Sequence, residues 1–144
     1  MSYTVKKVDV WAGDVMNRPE KLARVLEALT AAGAQLEFLV ARRVSQNTSR
    51  IFVAPLKSKK ERQAASDVGL VSAAGMHSIR IDGPDRAGLG ADIARAVAAA
   101  GINVRGASAA TIGKKNVFWL AFAESGEADA AIKIIKKKLA GKKK

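Results

Sequence analysis

The sequence predicts an α+β protein made of two copies of one β-α-β-β-α unit, each an antiparallel sheet with its helices on one face. Two observations carry this. The first is an internal repeat at an offset of 68: residues 11–54 lie on 79–122 without a gap, and Asp14/Asp82, Arg18/Arg86, Gly33/Gly101 and Ala41/Ala109 are among the identities. The other identical positions are all alanines. The second observation is therefore the weightier one: the order of the apolar periodicities repeats along with the residues.

In the first copy an apparent strand begins near Val5 and ends in the alternation Trp11, Gly13, Val15. Asn17-Arg18-Pro19 reads as a helix start, because proline in the first turn gives up an N–H that has no intrahelical acceptor. Leu22, Val25, Leu26 and Leu29 form a helical stripe that ends at Gly33. Two strands follow, one alternating through Leu36, Phe38 and Val40 and one running Ile51-Phe52-Val53-Ala54, joined by the polar turn Ser45-Gln46-Asn47-Thr48. Ser58 and Glu61 have capping-box spacing and open a second helix that Gly69 closes.

The second copy repeats the order. A strand over 78–82 leads to a helix over 88–100, then Gly101, a strand over 102–112, a turn at Gly113-Lys114-Lys115-Asn116 and a returning strand over 117–122. A last helix spans 127–139 with Ala128, Ile132, Ile135 and Leu139 on one face. Crossover handedness and the need to bury these stripes make each copy ferredoxin-like, βαββαβ with one strand to find. Leu70-Val71-Ser72-Ala73 offers the first copy a short fourth strand, and the last strand of the second copy is apparently missing. The expected domains are 1–75 and 76–144, with open sheet edges that invite a second chain and so a homodimer.

At 144 residues, 49% hydrophobic and 26% charged, the chain has the composition of a globular protein. With no cysteine there is no disulfide, thiolate nucleophile or iron–sulfur cluster, and one histidine, His77, builds no histidine-rich metal site. His77 is read as a structural or exposed residue. No stretch of 18 apolar residues occurs, so the expectation is a soluble cytoplasmic protein without membrane contact, metal or cofactor. The net charge of +12 is concentrated: seven lysines in the last twelve residues leave +5 for the rest, the pattern of a solvated helix end more than of a nucleic-acid surface.

The most distinctive local sequence is Asp82-Gly83-Pro84-Asp85-Arg86-Ala87-Gly88-Leu89-Gly90, where strand hands over to helix. A phosphate-binding P-loop is missing its Lys and Ser/Thr after the last glycine, and the dinucleotide G-x-G-x-x-G is not present. What remains is a helix N-terminus whose N–H groups Gly88 leaves approachable to a small carboxylate.

These residues resemble the ACT family, small βαββαβ modules that bind amino acids or similar ligands and regulate enzymes or transcription. The resemblance rests on a loop of the Asp/Asn-Arg-Pro-Gly type and a Gly-hydrophobic-Asn-hydrophobic strand entry. The second copy reads Asp85-Arg86-Ala87-Gly88 and Gly101-Ile102-Asn103-Val104; the first reads Asn17-Arg18-Pro19-Glu20 and Gly33-Ala34-Gln35-Leu36. The resemblance implies that Asp85 holds an ammonium group, that the N–H groups around Ala87, Gly88 and Leu89 hold a carboxylate, with Arg86 in the same loop, and that Asn103 supplies an amide where a neighbouring domain closes the site. Asn17, Arg18 and Gln35 mark the corresponding second site. Glu20 satisfies its own helix end and repels a carboxylate, so the second copy is expected to hold the ligand and the first to be scaffold.

Two other classes compete with this sensor of an amino acid or related carboxylate acting on a regulated partner. An RNA-recognition motif has the same element order, but Lys115 to Phe122 has neither the glycine nor the leading aromatic of its third strand. A ligand-free interaction module needs only the open edges. No histidine–serine or cysteine arrangement is evident, the spacing of Asp82 and Asp85 is equally that of a turn and of an approaching pair, and the chain is read as non-catalytic. Trp11 and Trp119 fall opposite Ile79 and Ile51 at the offset of 68 and are expected to pack in cores or interfaces.

Overall fold

In the computed structural model, which describes residues 3–72 and 76–140, the chain forms two compact α+β units. Among the described residues one unit runs from Asp9 to Ser72, and the other joins the residues up to Val8 to those from Met76 onward.

The first repeat comprises β2 (Trp11–Met16), α1 (Pro19–Ala31), β3 (Phe38–Arg43), β4 (Thr48–Ala54), α2 (Lys59–Asp67) and the two-residue β5 (Val71–Ser72). Its sheet order is β3-β4-β2-β5, all antiparallel. Val25 and Leu29 of α1 and Ala65 of α2 pack on Ile51 and Val53 of β4, which are fully buried. The capping box is formed: the Glu61 N–H donates to Ser58 Oγ at 3.0 Å, and the Glu61 carboxylate accepts from the Lys57 N–H at 2.9 Å.

The second repeat comprises β6 (His77–Pro84), α3 (Leu89–Ala99), β7 (Gly106–Ile112), β8 (Lys115–Phe122) and α4 (Ser125–Ala140). No strand follows α4 among the described residues. The edge it would occupy is taken from the other end of the sequence by β1 (Thr4–Val8), giving the order β1-β6-β8-β7. Here the expectation of one strand from Val5 into Trp11–Val15 is corrected, because the chain changes units at Asp9. The Asp9 carboxylate accepts from Trp11 Nε1 at 3.0 Å and from Ser72 Oγ at 2.7 Å, holding it with the first repeat. On the other side of the break Val5 is buried against Ile81, Leu139 and the rest of the second core. Lys7 bridges to Asp129 of α4 at 2.7 Å. The edge left open in the sequence-based picture of this repeat is therefore covered.

Strand register also revises the repeat itself. Gly13 pairs with Ile51, and Ile81, its equivalent, pairs with Phe118, so the returning strands correspond at an offset of 67. The cause is the hairpin. Arg43 pairs with Ser49 in the first repeat, whereas Ile112 pairs directly with Lys115 across a shorter turn in the second. Trp119 is accordingly the counterpart of Phe52, not of Ile51, and Asn116, expected in the turn, lies inside β8 and is buried. The strand expected over 102–112 is regular only from Gly106.

Candidate ligand-binding site

In the second repeat the loop between β6 and α3 is held from three sides. The Asp85 N–H donates to the Lys114 carbonyl at 2.8 Å, tying the loop to the hairpin tip. Tyr3 donates from its hydroxyl to the Pro84 carbonyl at 2.7 Å, and its ring lies against Gly83, where any side chain would collide with it. Leu89, buried, and Gly90, whose Cβ position lies 3.2 Å from Phe118, press the start of α3 onto the sheet.

Gly88 is the N-cap of α3 at φ +82°, a left-handed backbone that only glycine adopts without strain, and no side chain caps this helix end. The helix terminus thus carries no side-chain cap, while the Leu89 N–H donates to the Arg86 carbonyl at 3.3 Å. Arg86, by contrast, is engaged within the loop. It donates to the Asp92 carboxylate at 2.8 Å and to the Ala87 carbonyl at 3.3 Å, and the Asp92 hydrogen bond raises its pKa above the usual arginine value. Arg86 is therefore a loop-positioning residue.

Asp85 is exposed and accepts from Thr111 Oγ1 at 3.2 Å; Thr111 accepts in turn from Asn116 Nδ2 at 2.9 Å. Asn116 is 8% exposed, and its Oδ1 has no hydrogen-bond partner among the described residues. Sequence reasoning missed this relay. The available signal was alternation, since Asn116 shares a face with Phe118, Leu120 and Phe122.

Asn103 is not brought to this loop within its own repeat. Gly106 pairs with Ala121 at one end of β7 and Ile112 with Lys115 at the other, so about 20 Å of strand separates Asn103, which precedes Gly106, from the Asp85 end of the sheet. Gln35 stands in the same relation to Asn17 and Arg18: Phe38 pairs with Ala54, and Met16 with Thr48 at the far end.

The first repeat has a mirror of the loop anchorage. The Asn17 N–H donates to the Asn47 carbonyl at 2.8 Å, its side-chain amide donates to the Gln46 carbonyl at 3.4 Å, and Ser49 Oγ donates to Asn17 Oδ1 at 3.2 Å. Asn17 is consumed by these contacts. Beside it, however, a cleft of about 500 Å³ opens between the first turn of α1 and strands β3 and β4, with Arg18 in its wall. Glu20 is exposed and does not line it.

The remaining candidates fall into packing. Phe118 and Phe122 face the helices, and Trp119, on the opposite sheet face, is 8% exposed beneath the Arg80 guanidinium at 5.1 Å. Arg80 also pairs with Asp82 at 2.6 Å. An RNA-recognition sheet presents its aromatics to bases, and these are not so placed. Trp11 is half-buried against the first core. Among the described residues no cluster of three metal-ligating side chains occurs, and no helix is long and apolar enough to cross a membrane.

Residues 77–140 match the family model of the ACT domain. The match takes in β6 to α4, including the Gly88 loop. No curated protein sequence matches the chain significantly. Among solved structures, a protein from Bacteroides thetaiotaomicron superposes with a TM-score of 0.76 at 14% identity, covering 93% of this chain and 90% of that one. The ligand-free regulatory subunit of aspartate kinase from Thermus thermophilus gives a TM-score of 0.65 at 16% identity, covering 96% and 97%. Aspartokinase III of E. coli gives 0.59 at 12%, covering 96% of this chain and 33% of that chain. At these identities the likeness is one of fold, and it extends beyond the ACT segment to both repeats.

Proposed function

We propose that this chain is a tandem ACT-type regulatory protein, non-catalytic, that binds an amino acid or related small carboxylate at the second repeat and shifts the assembly or activity of a partner. The observation that carries this is the ACT match over the segment that contains the uncapped Gly88 helix start. An α-carboxylate meets the N–H groups of Ala87 and Gly88, where the helix dipole favours it, the Leu89 N–H being directed to the Arg86 carbonyl at 3.3 Å. The exposed Asp85 carboxylate accepts from the ammonium group. Thr111 and Asn116 fix the direction of Asp85. Asn103 joins the site from a neighbouring copy, which makes binding and dimerisation one equilibrium. The likeness of fold to a regulatory subunit of aspartate kinase supports the regulatory role.

A thermal-denaturation screen against the twenty amino acids tests this, with the response followed as protein concentration is varied. A ligand that binds only the folded state adds about 2.7 kcal/mol at a hundredfold excess over Kd. The expected result is stabilisation by one amino acid or a narrow group of them, stronger at high protein concentration. A flat response to all twenty refutes the amino-acid assignment.

A further inference from the structure

The cleft of the first repeat differs in charge from everything around the second-repeat loop. Four of its lining residues are cations, Arg18, Lys21, Arg42 and Arg43, and none is acidic, but Arg42 pairs with Arg50 and so projects from the sheet face that carries Asp14, opposite Arg43 and Ile51. Among the described residues none of the four makes an ion pair or a side-chain hydrogen bond, although several other surface cations do, as with Arg50 on Asp14 and Lys7 on Asp129. Between the cations the wall is apolar: Val15, Leu22 and Ile51 line it, the last being fully buried beneath. At about 500 Å³ the cleft is open to solvent and has room for a small molecule.

This cleft is not a by-product of the fold. At the equivalent positions the second repeat has Leu89 for Lys21, Ala110 for Arg42 and Thr111 for Arg43, and Phe118 for Ile51 fills the space against Gly90. Its remaining arginine, Arg86, is neutralised by Asp92, whereas the counterpart of Asp92 in the first repeat is Arg24. Two loops of the same origin have thus been given opposite demands. The second offers one acid beside one open helix end. The first offers three uncompensated cations, Arg18, Lys21 and Arg43, around an apolar floor, and no acid to accept from an ammonium group.

We propose that the first-repeat cleft binds a small dianion with an apolar carbon skeleton, a dicarboxylate or a phosphate monoester, through Arg18 and Arg43 with Lys21 adding charge. Arginine forks match carboxylate and phosphate oxygens in pairs, and a dianion is the smallest ligand that engages cations on both walls. The proposal is independent of ligand binding at the second repeat.

The test is calorimetric titration of the full chain at low salt with glutarate, propyl phosphate, butyrate and L-glutamate, paired with amide chemical-shift mapping. Glutarate or propyl phosphate is expected to bind at least tenfold more tightly than butyrate, with shifts at Arg18, Lys21 and Arg43. L-glutamate, which differs from glutarate by its ammonium group, is expected to bind more weakly at this cleft. Arg18→Gln and Arg43→Gln, both at exposed positions, are expected to weaken the dianion at least tenfold each with an unchanged melting curve. Binding by neither dianion, equal binding of butyrate, or shifts confined to the Gly88 loop overturns the proposal. So does a single-stranded RNA oligonucleotide that binds while both dianions fail, which assigns the cations to a polyanion instead.

Discussion

Val5 lies opposite Ile81 in the antiparallel pair of β1 with β6, and both side chains are buried in the core of the second repeat. The N-terminal strand thus completes a sheet whose other strands begin some seventy residues later. Val5→Ala removes two methyl groups from a site 4% exposed and is expected to cost about 2 kcal/mol in urea denaturation. Hydrogen exchange should locate the loss: faster exchange in β6, with β4 of the first repeat unchanged. Equal acceleration in both sheets would contradict the assignment of β1 to the second repeat.

Much of this architecture is legible in the sequence, and the exceptions have physical reasons. Helix starts were marked by local chemistry, Pro19 in a first turn and Ser58 with Glu61, which act over three or four residues. The partner of β1 was not, because strand pairing at this separation depends on a core that no local pattern displays. Alternation through Val5 to Val15 cannot reveal that Asp9, bonded to Trp11 and Ser72, divides it. In the candidate site, Gly88 was readable as a glycine before a helix, whereas Asn116 was marked only by alternation along β8 and the cationic cleft not at all. Both arise from cross-strand register, and the shorter second hairpin shifts that register by one residue.

Gly88 tests backbone conformation apart from ligand chemistry. At φ +82° with nothing crowding its Cβ position, Gly88→Ala is expected to destabilise by about 1 kcal/mol, from the left-handed backbone alone. Gly90→Ala instead meets Phe118, whose ring must give way. A melting temperature unaffected by Gly88→Ala would show that the loop relaxes out of the left-handed conformation.

Ser58→Ala removes the acceptor for the Glu61 N–H and breaks the capping box of α2. The expected loss is about 1 kcal/mol, measured by chemical denaturation, with Ser58→Thr retaining most of the stability.

Asp14 accepts two hydrogen bonds from Arg50, at 2.7 and 3.1 Å, and this contact holds its carboxyl below the usual aspartate range. Because the folded value is the lower one, the contribution to stability is fully present above about pH 3.9 and is lost as pH falls through the folded value. The pair is exposed and its contribution small. A carboxyl NMR titration should give Asp14 a midpoint below that of the unfolded chain, returning toward it in Arg50→Gln. An unmoved midpoint in Arg50→Gln would show that another group sets the shift.

Calorimetric titration of the stabilising amino acid into wild-type protein and into Gly88→Glu, alongside Gly88→Ala as the control for backbone strain, addresses the second-repeat site most directly. Glutamate at this position reproduces Glu20 of the first repeat, placing a carboxylate at the proposed position of the ligand's own. The expected result is loss of amino-acid binding in Gly88→Glu, with binding retained in Gly88→Ala at a temperature where both are folded. Undiminished binding to folded Gly88→Glu would contradict a ligand site at this helix start.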